Sequence, residues 1–330
     1  MEATRITYYE FGNPSDVLRV ETGPVSRPGQ GEVLVRMVLS PINPSDLIPI
    51  TGAYAHRIGL PAVPGYEGIG VIEDTGPSVS RSLIGRRVLP LRGEGTWQQF
   101  VTAPAEYAVS VPDGLDDESA AQMYINPLTA WLVCTEALRL QPGGTVLVNA
   151  CGSAIGRLFA QLAKLLGFRL IAVTRSGAYT AELLRLGAFA VVNTAETELR
   201  PAVMELTGGA GADAAVDSVG GAAGTTMACC LKPGAVFLSI GLLSGIPVNG
   251  AEIARQTQAD VRLFHLRHWN RLAAPPVWQE AFRRLMALVL DGRLTLMPAR
   301  VRYSLPDVKE AVRSAQSGGK NEGKVFLTLP

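Results

Sequence analysis

Residues Thr145 to Arg175 read TVLVNACGSAIGRLFAQLAKLLGFRLIAVTR. Val146, Leu147 and Val148 make a short β-branched-rich run that fits a buried strand, and Gly152, Ser153 and Gly156 then lead into a helical pattern. Ile155, Leu158, Phe159, Leu162, Ala163 and Leu166 recur at helical spacing, so one face of that helix packs on a sheet. Gly167 ends the helix, and Leu170 to Val173 form a second buried strand. Strand, glycine turn, helix and strand in that order build a phosphate site. A helix N-terminus offers unpaired N–H groups and a positive dipole end, and a glycine turn lets a pyrophosphate approach the backbone closely. Gly152, Ser153, Ala154, Ile155 and Gly156 are the candidate contacts.

The second strand ends in Thr174-Arg175-Ser176. A site for NAD usually places Asp or Glu here to accept hydrogen bonds from the ribose 2′-hydroxyl, whereas a 2′-phosphate is repelled by an acid and attracted by arginine. Arg175, with Thr174 beside it, therefore predicts NADPH over NADH. Only Gly152 and Gly156 remain of the usual three glycines, Ala154 replacing one, so the weight falls on context. Arg175 follows Gly156 by 19 residues, close to where the ribose-contacting side chain belongs. Tyr179, four residues further on, either stacks on adenine, covers the 2′-phosphate, or is a partly exposed helix residue.

Outward from this unit, αβ alternation continues through a helix near Tyr179 to Leu186 and strands at Ala190-VVN, Ala214-AVDSV and Ala235-VFLSIG. Alternating strands and helices imply a parallel sheet with helices on both faces. Gly220, Gly221 and Gly241 fall at the carboxyl ends of such strands, where ligands gather in open α/β sheets. Before about residue 120 the texture differs, with short extended runs such as Glu32-VLVRMVLS, Ile69-GVIED and Arg87-VLPL punctuated by Gly and Pro. That is β-rich structure of a partly closed barrel. After about Trp278 a helix, AFRRLMALVL, precedes Val301-RYSLPDVKEAVRSAQ and a final strand at Lys324-VFLTL, a mix that suits the first segment and implies a chain that leaves one domain and returns to it.

Composition narrows the classes. A length of 330 residues allows two domains. The net charge of +1 gives no field that favours nucleic acid or an anionic membrane. The longest apolar stretch, around Leu158 to Val173, is broken by Lys164 and Arg169, so no membrane span is expected. The four cysteines, Cys134, Cys151, Cys229 and Cys230, include no CxxC pair. With an N-terminus, MEATRITYYEFGNP, that has neither a secretory apolar core nor a transit-peptide composition, the expected setting is the cytoplasm.

Several further runs complete the pattern: INPSDL at Ile42 to Leu47, GAY at Gly52 to Tyr54, LPAVPGYEGIGVI at Leu60 to Ile72, GTW at Gly95 to Trp97, INPLTAW at Ile125 to Trp131, and FHLRHWN at Phe264 to Asn270. With the glycine loop they resemble the medium-chain dehydrogenase/reductase superfamily, in its zinc-free quinone oxidoreductase-like branch, and within that the trans-2-enoyl thioester reductases. The resemblance covers nearly the whole chain. It implies an α/β protein in which a Rossmann doubly wound parallel sheet, residues 121–270, is inserted in a GroES-like, partly open β-barrel domain made from residues 1–120 and 271–330. It also implies a homodimer joined along the edge of the Rossmann sheet.

Zinc members of the superfamily carry a cysteine just before xxD and a GHE motif. Here those places read Asn43-Pro44-Ser45-Asp46 and Gly65-Tyr66-Glu67, so the thiolate and the imidazole that zinc prefers are replaced, and no metal is expected. His56, His265 and His268 lie in separate segments and read as surface or loop residues.

Reducing a double bond conjugated to a carbonyl does not need a Lewis acid. The nicotinamide delivers hydride to the β-carbon, charge gathers on the carbonyl oxygen, and a proton is added at the α-carbon; the protein holds the reactants and stabilises that oxygen. Tyr54, in the turn-like TGAY, is the candidate donor and matches the tyrosine assigned as catalytic in the enoyl thioester reductases. Asn43 and Asp46 are candidate pocket groups or braces of their turn. Trp97, Phe264 and Trp269 either line an apolar channel for an acyl chain or belong to the core. Thr129, after Pro127, matches the family position near nicotinamide or caps its helix. The expected function is NADPH-dependent reduction of a 2-enoyl thioester of coenzyme A or of an acyl carrier protein. The alternatives are an NADPH:quinone or general enone reductase and a non-catalytic NADPH-binding, redox-sensing protein.

Overall fold

The first strands of the chain, β1 (Glu2–Thr7) and β2 (Arg19–Pro24), pair antiparallel as a separate two-stranded sheet. Next come β3 (Glu32–Pro41), β4 (Ile69–Thr75), β5 (Arg87–Leu89), β6 (Phe100–Pro104) and β7 (Val109–Ser110). β3 is the longest because VLVRMVLSP keeps apolar residues on both faces. The middle of the chain supplies β8 (Thr145–Val148), β9 (Arg169–Thr174), β10 (Ala190–Asn193), β11 (Ala212–Asp217), β12 (Leu231–Ser239) and β13 (Asp260–Leu263). The last strands are β14 (Ala299–Ser304) and β15 (Lys324–Thr328).

This arrangement comes from a computed structural model in which residues 2–92, 95–317 and 323–329 are described. The chain divides into two units, one of residues 1–125, 273–292 and 296–330 and one of residues 126–272 and 293–295. In the first, seven strands run in the order β14-β15-β3-β4-β5-β7, with β6 also paired to β3. Its interior holds Trp97, Met37, Ile50 and, from the returning segment, Val308, Val312 and Leu327. The second unit holds a six-stranded parallel sheet in the order β10-β9-β8-β11-β12-β13. The order reverses at β8, so the crevice beyond the carboxyl ends of β8 and β11 is the topological switch point of a doubly wound sheet. Leu147, Ile171, Ala215 and Phe237 fill the middle of that sheet at 0% exposure.

The expected boundaries shift by a few residues, each for a visible reason. The helix Asp117–Ala121, capped by Asp116, packs against β3 and β4 and so stays with the barrel unit, which runs on to Ile125 instead of ending at 120. The returning segment starts at Ala273, not 271, and gives Arg293–Thr295 back to the nucleotide unit. There the N–H and Oγ1 of Thr295 donate to Oε1 of the buried Gln161 at 2.7 and 3.0 Å. The polar run HLRHWNR is helical, Leu266–Leu272, and the segment before it forms the edge strand β13, which its alternation of charge and branched residues, DVRL, hardly announces.

Candidate functional site

In the nucleotide unit the glycine loop joins β8 to the helix Ala154–Leu166. Ser153 is the N-cap, its Oγ accepting from the N–H of Gly156 at 3.3 Å. Ala154 and Ile155 occupy the first two helical positions, where N–H groups have no intrahelical acceptor. A Cβ on Gly156 would lie 2.3 Å from Cα of Cys151, so this glycine sets the close approach of helix and strand. A Cβ on Gly152 would lie 2.7 Å from the ring of Tyr179, which covers the loop. Ala150, just before the turn, sits at φ +52, a left-handed conformation that a residue with a side chain adopts at a cost. Arg157, 7% exposed, holds the assembly: Nη1 donates to the carbonyl of Gly152, while Nε and Nη2 donate to Glu182 at 2.8 and 2.7 Å. Those bonds hold the Glu182 carboxyl below its ordinary range.

At the end of β9, Thr174 is buried and donates through Oγ1 to the carbonyl of Ser176 at 3.0 Å, while Arg175 is exposed. Among the described residues no hydrogen bond or ion pair engages the Arg175 side chain. Its guanidinium is free for an anion. Asn193, opposite Thr174 in register on β10, keeps a buried Nδ2 without an acceptor, 3.8 Å from where a Cβ on Gly177 would stand. At the switch point, Asn149 Nδ2 donates to Oδ1 of the fully buried Asp217 at 2.5 Å, and Asn149 Oδ1 accepts from the N–H of Ser218 at 2.8 Å. Asp217 also accepts from the N–H groups of Val219 and Gly220, both at 3.0 Å on Oδ1. Gly220 takes φ +78, and a Cβ on Gly241 would lie 2.8 Å from the carbonyl of Ser218. Only glycine lets these two strand-end loops pack together. Ser218 Oγ is buried there with no partner. Thr129, 9% exposed, opens the helix Thr129–Leu132 after a π-helical turn, Tyr124–Leu128, that contains Pro127. Phe264 and Trp269 are both half-buried beyond the end of β13, and Trp269 Nε1 donates to Glu136 at 3.2 Å.

The barrel unit carries the rest. Tyr54 follows Gly52, whose φ of +90 turns the chain, and its ring is half-exposed with the Arg57 guanidinium carbon 3.7 Å above the centroid. The Arg57 N–H donates to the Tyr54 carbonyl at 3.0 Å, so the pair forms one short turn. Asn43 and Asp46, expected as pocket groups or braces, are 1% and 2% exposed and act as braces. The N–H of Asn43 donates to Asp46 Oδ2 at 2.7 Å and the N–H of Tyr66 to Asp46 Oδ1 at 3.0 Å. Asn43 Nδ2 donates to Glu67 Oε1 at 2.7 Å, and Asn43 Oδ1 accepts from the Lys324 ammonium. Glu67 Oε2 in turn accepts from the N–H groups of Tyr124 and Ile125 at 3.0 and 2.7 Å. Burial pushes the Asp46 carboxyl up to about 7 despite its two backbone donors, with the neighbouring Glu67 adding to the rise. Glu67 is raised and Lys324 lowered for the same reason, each partly offset by the other. Trp97, considered for an acyl channel, is instead 0% exposed in the barrel core, its indole packed against Gly65, where a Cβ would lie 2.3 Å from Cδ1.

Asn149, Asp217, Arg157 and Lys324 were not singled out by any motif. Asn149 and Asp217 stand at strand ends beside residues that were, which is the one signal available for them. Among the described residues no group of three or more His, Cys, Asp or Glu side chains is placed to hold a metal ion. No described helix is long and apolar enough to cross a membrane.

Comparison with known proteins places this architecture. Residues 29–113 match the model of the alcohol dehydrogenase GroES-like domain, and residues 154–287 that of the zinc-binding dehydrogenases. The chain is 32% identical over 322 residues to the mitochondrial enoyl-[acyl-carrier-protein] reductase of Rattus norvegicus, covering 94% of this chain and 84% of that one. It is also 30% identical over 318 residues to a component of the phenolphthiocerol/phthiocerol polyketide synthase of Mycobacterium tuberculosis, of whose length it spans 14%. Among solved structures, one from Bacillus thuringiensis, assigned provisionally as an NADPH:quinone reductase, superposes with a TM-score of 0.98 at 57% identity over 99% of both chains. The Escherichia coli quinone oxidoreductase complexed with NADPH gives 0.88 at 25% identity, over 99% of this chain and 100% of the other.

The chain belongs to the medium-chain dehydrogenase/reductase superfamily, in its zinc-independent quinone oxidoreductase-like branch. It is an NADPH-dependent oxidoreductase. The residues are compatible with that cofactor: a glycine turn at Gly152, a capped helix start after it and an exposed Arg175 at the end of β9 suit a dinucleotide carrying an added phosphate.

Proposed function

We propose that the protein reduces the carbon–carbon double bond of a 2-enoyl thioester. The observation that carries this reading is the 32% identity, over 94% of the chain, to an enoyl-[acyl-carrier-protein] reductase. The half-exposed Tyr54, fixed by Arg57, agrees with it. When bound, the cofactor supplies the hydride. Gly152, Ser153, Ala154, Ile155 and Gly156 hold its pyrophosphate, Arg175 with Thr174 holds its 2′-phosphate, and Tyr179 covers the loop. Thr129 and the glycines Gly220 and Gly241 border the nicotinamide end. Tyr54 donates a hydrogen bond to the thioester oxygen as charge gathers there, which lowers the barrier in the way an oxyanion site does. Phe264 and Trp269 face the acyl chain. The carrier is coenzyme A or an acyl carrier protein.

A second reading, reduction of a quinone on the same site, is favoured by the 57% identity to the Bacillus thuringiensis protein. The deciding experiment follows NADPH absorbance with short and medium 2-enoyl-CoA esters beside a small quinone. Turnover of the thioesters supports the first reading; turnover of the quinone alone moves the function to the second. We also read a homodimer, because β13 leaves one edge of the parallel sheet open and Leu263 on it is 69% exposed. Sedimentation at the monomer mass at micromolar concentration would refute it.

A further inference from the structure

We propose that Arg57 is a positioning residue for the reduction, its guanidinium charge acting through the Tyr54 ring to strengthen the hydrogen bond that the phenol donates to the acceptor oxygen. This rests on the role given above to Tyr54. The pairing begins in the backbone. Gly52, at φ +90, turns the chain, and the residues Ala55–Arg57 then form a single 3-10 turn. The N–H of Ala55 donates to the carbonyl of Gly52 and that of Arg57 to the carbonyl of Tyr54, both at 3.0 Å. In such a turn residues three apart eclipse one another, so the side chains of Tyr54 and Arg57 share one face. The turn is itself tied down: the N–H of Gly12 donates to the carbonyl of Ile50 at 3.0 Å, and a Cβ on Gly52 would stand 3.2 Å from Cβ of Phe11.

The side chains themselves are in contact. The guanidinium carbon of Arg57 lies 3.7 Å from the centroid of the Tyr54 ring, and both residues are half-buried. A cation over the electron-rich face of an aromatic ring is attracted to it, more strongly where water is partly excluded, so each side chain restrains the other. The stack also sets a full positive charge beside the phenol. The hydroxyl oxygen stands one ring radius and one C–O bond from the centroid, which leaves the charge within the roughly 4–6 Å over which a cation favours negative charge on an oxygen. Drawing electron density from the ring leaves the hydroxyl proton a better donor, and an acceptor oxygen carries most of its charge only while the hydride is moving. The arginine therefore acts on the transition state more than on the bound acceptor, and its effect falls on kcat more than on KM. A stack that only packed the turn would show no such preference.

The test uses the full-length protein with Arg57→Met, which keeps an apolar cover on the ring and removes the charge, and Arg57→Lys, which keeps a charge without the planar stack, each alone and combined with Tyr54→Phe. NADPH oxidation is measured with 2-butenoyl-CoA and with 1,4-benzoquinone, and NADPH binding by quenching of tryptophan fluorescence. Arg57→Met should lower kcat by about tenfold, the upper range for a cation–π contact, with KM within about twofold and NADPH affinity unchanged, and Arg57→Lys should recover part of the loss. Tyr54→Phe keeps a ring beneath the arginine but no phenol, so adding Arg57→Met to it should cost nothing more. Wild-type kcat for Arg57→Met overturns the proposal, as do equal losses in the Met and Lys variants, a loss confined to KM, or a full further loss on top of Tyr54→Phe. A Tyr54→Phe protein that matches wild type on both acceptors refutes the role of the phenol and the proposal with it. If the wild type reduces the quinone but not the thioester, the thioester reading alone fails and the quinone rates decide Arg57. Wild-type turnover of neither acceptor overturns both.

Discussion

Replacing Lys324 with methionine removes one charge from the barrel interior and changes side-chain volume little. In the wild type the ammonium donates to Asn43, which donates to Glu67, and the Asp46 carboxyl lies beside them; all four residues are at most 8% exposed. The variant strands Glu67 with backbone donors but no cation. Breaking a buried charge array by removing one partner costs roughly 3–5 kcal/mol, because the charge left behind has lost water and partner alike. Protonation of Glu67 limits the loss, at about 1.4 kcal/mol for each unit its pKa must climb. Without Lys324 the Glu67 carboxyl, already raised by burial, rises further. A raised carboxyl costs stability above the unfolded pKa, so the deficit should be larger at pH 8 than at pH 5. Adding Glu67→Gln to Lys324→Met removes the stranded charge and should recover about half of the loss. Urea unfolding, followed by circular dichroism and by fluorescence of the buried Trp97 and Trp278, measures each value. A Lys324→Met protein within about 1 kcal/mol of wild type at pH 8, or one whose deficit is the same at both pH values, would refute the reasoning.

Arg175→Asp should reverse cofactor choice: kcat/KM with NADPH falls by about a hundredfold, as for loss of a charge-assisted hydrogen bond plus repulsion, while NADH becomes the better donor. Retained NADPH preference in steady-state rates would move the 2′-phosphate contact elsewhere. Asp46 gives a pH signature. Its carboxyl lies at about 7 in the folded protein against an ordinary 3.8, so the folded state binds the proton more tightly and stability falls as pH rises from about 4 to about 7. Asp46→Asn should flatten that part of the curve in urea titrations, and an unchanged slope there counts against a proton held on this side chain.

What could be read from the sequence was local. The helix Ala154–Leu166 declares itself through residues three and four apart, and its end through Gly167, which takes φ +79. The placement of Arg175 at the exposed end of β9 was legible for the same reason, since its distance from the glycine turn is fixed by one helix and one strand. The braces of the barrel were not. Asn43 and Lys324 are 281 residues apart, and a lysine opening KVFLTL looks like the solvated start of a strand. Trp97 shows the same limit from the other side: an aromatic residue in a short Gly-Thr-Trp run fits a pocket or a core equally well, and only its burial among the barrel residues, against Gly65, decides. Tyr66 was read only as the residue standing where zinc members carry histidine, because nothing local distinguishes an exposed loop tyrosine from a packed one.

The late arrival of Lys324 bears on how the molecule is made. Synthesis runs from the N-terminus, so the parallel sheet, drawn from residues 145–263, can close while the ribosome still holds β15. Until β15 emerges, β3 lacks its partner at Leu39–Pro41, and two buried carboxylates face an interior with no cation. Loop-closure entropy grows only slowly with length, so the long wait carries a modest thermodynamic cost. Its effect is on timing. The nascent protein is an assembled nucleotide fold tethered to an unfinished barrel, and a shortened C-terminus should yield chains that take up NADPH yet expose β3 to chaperones and proteases.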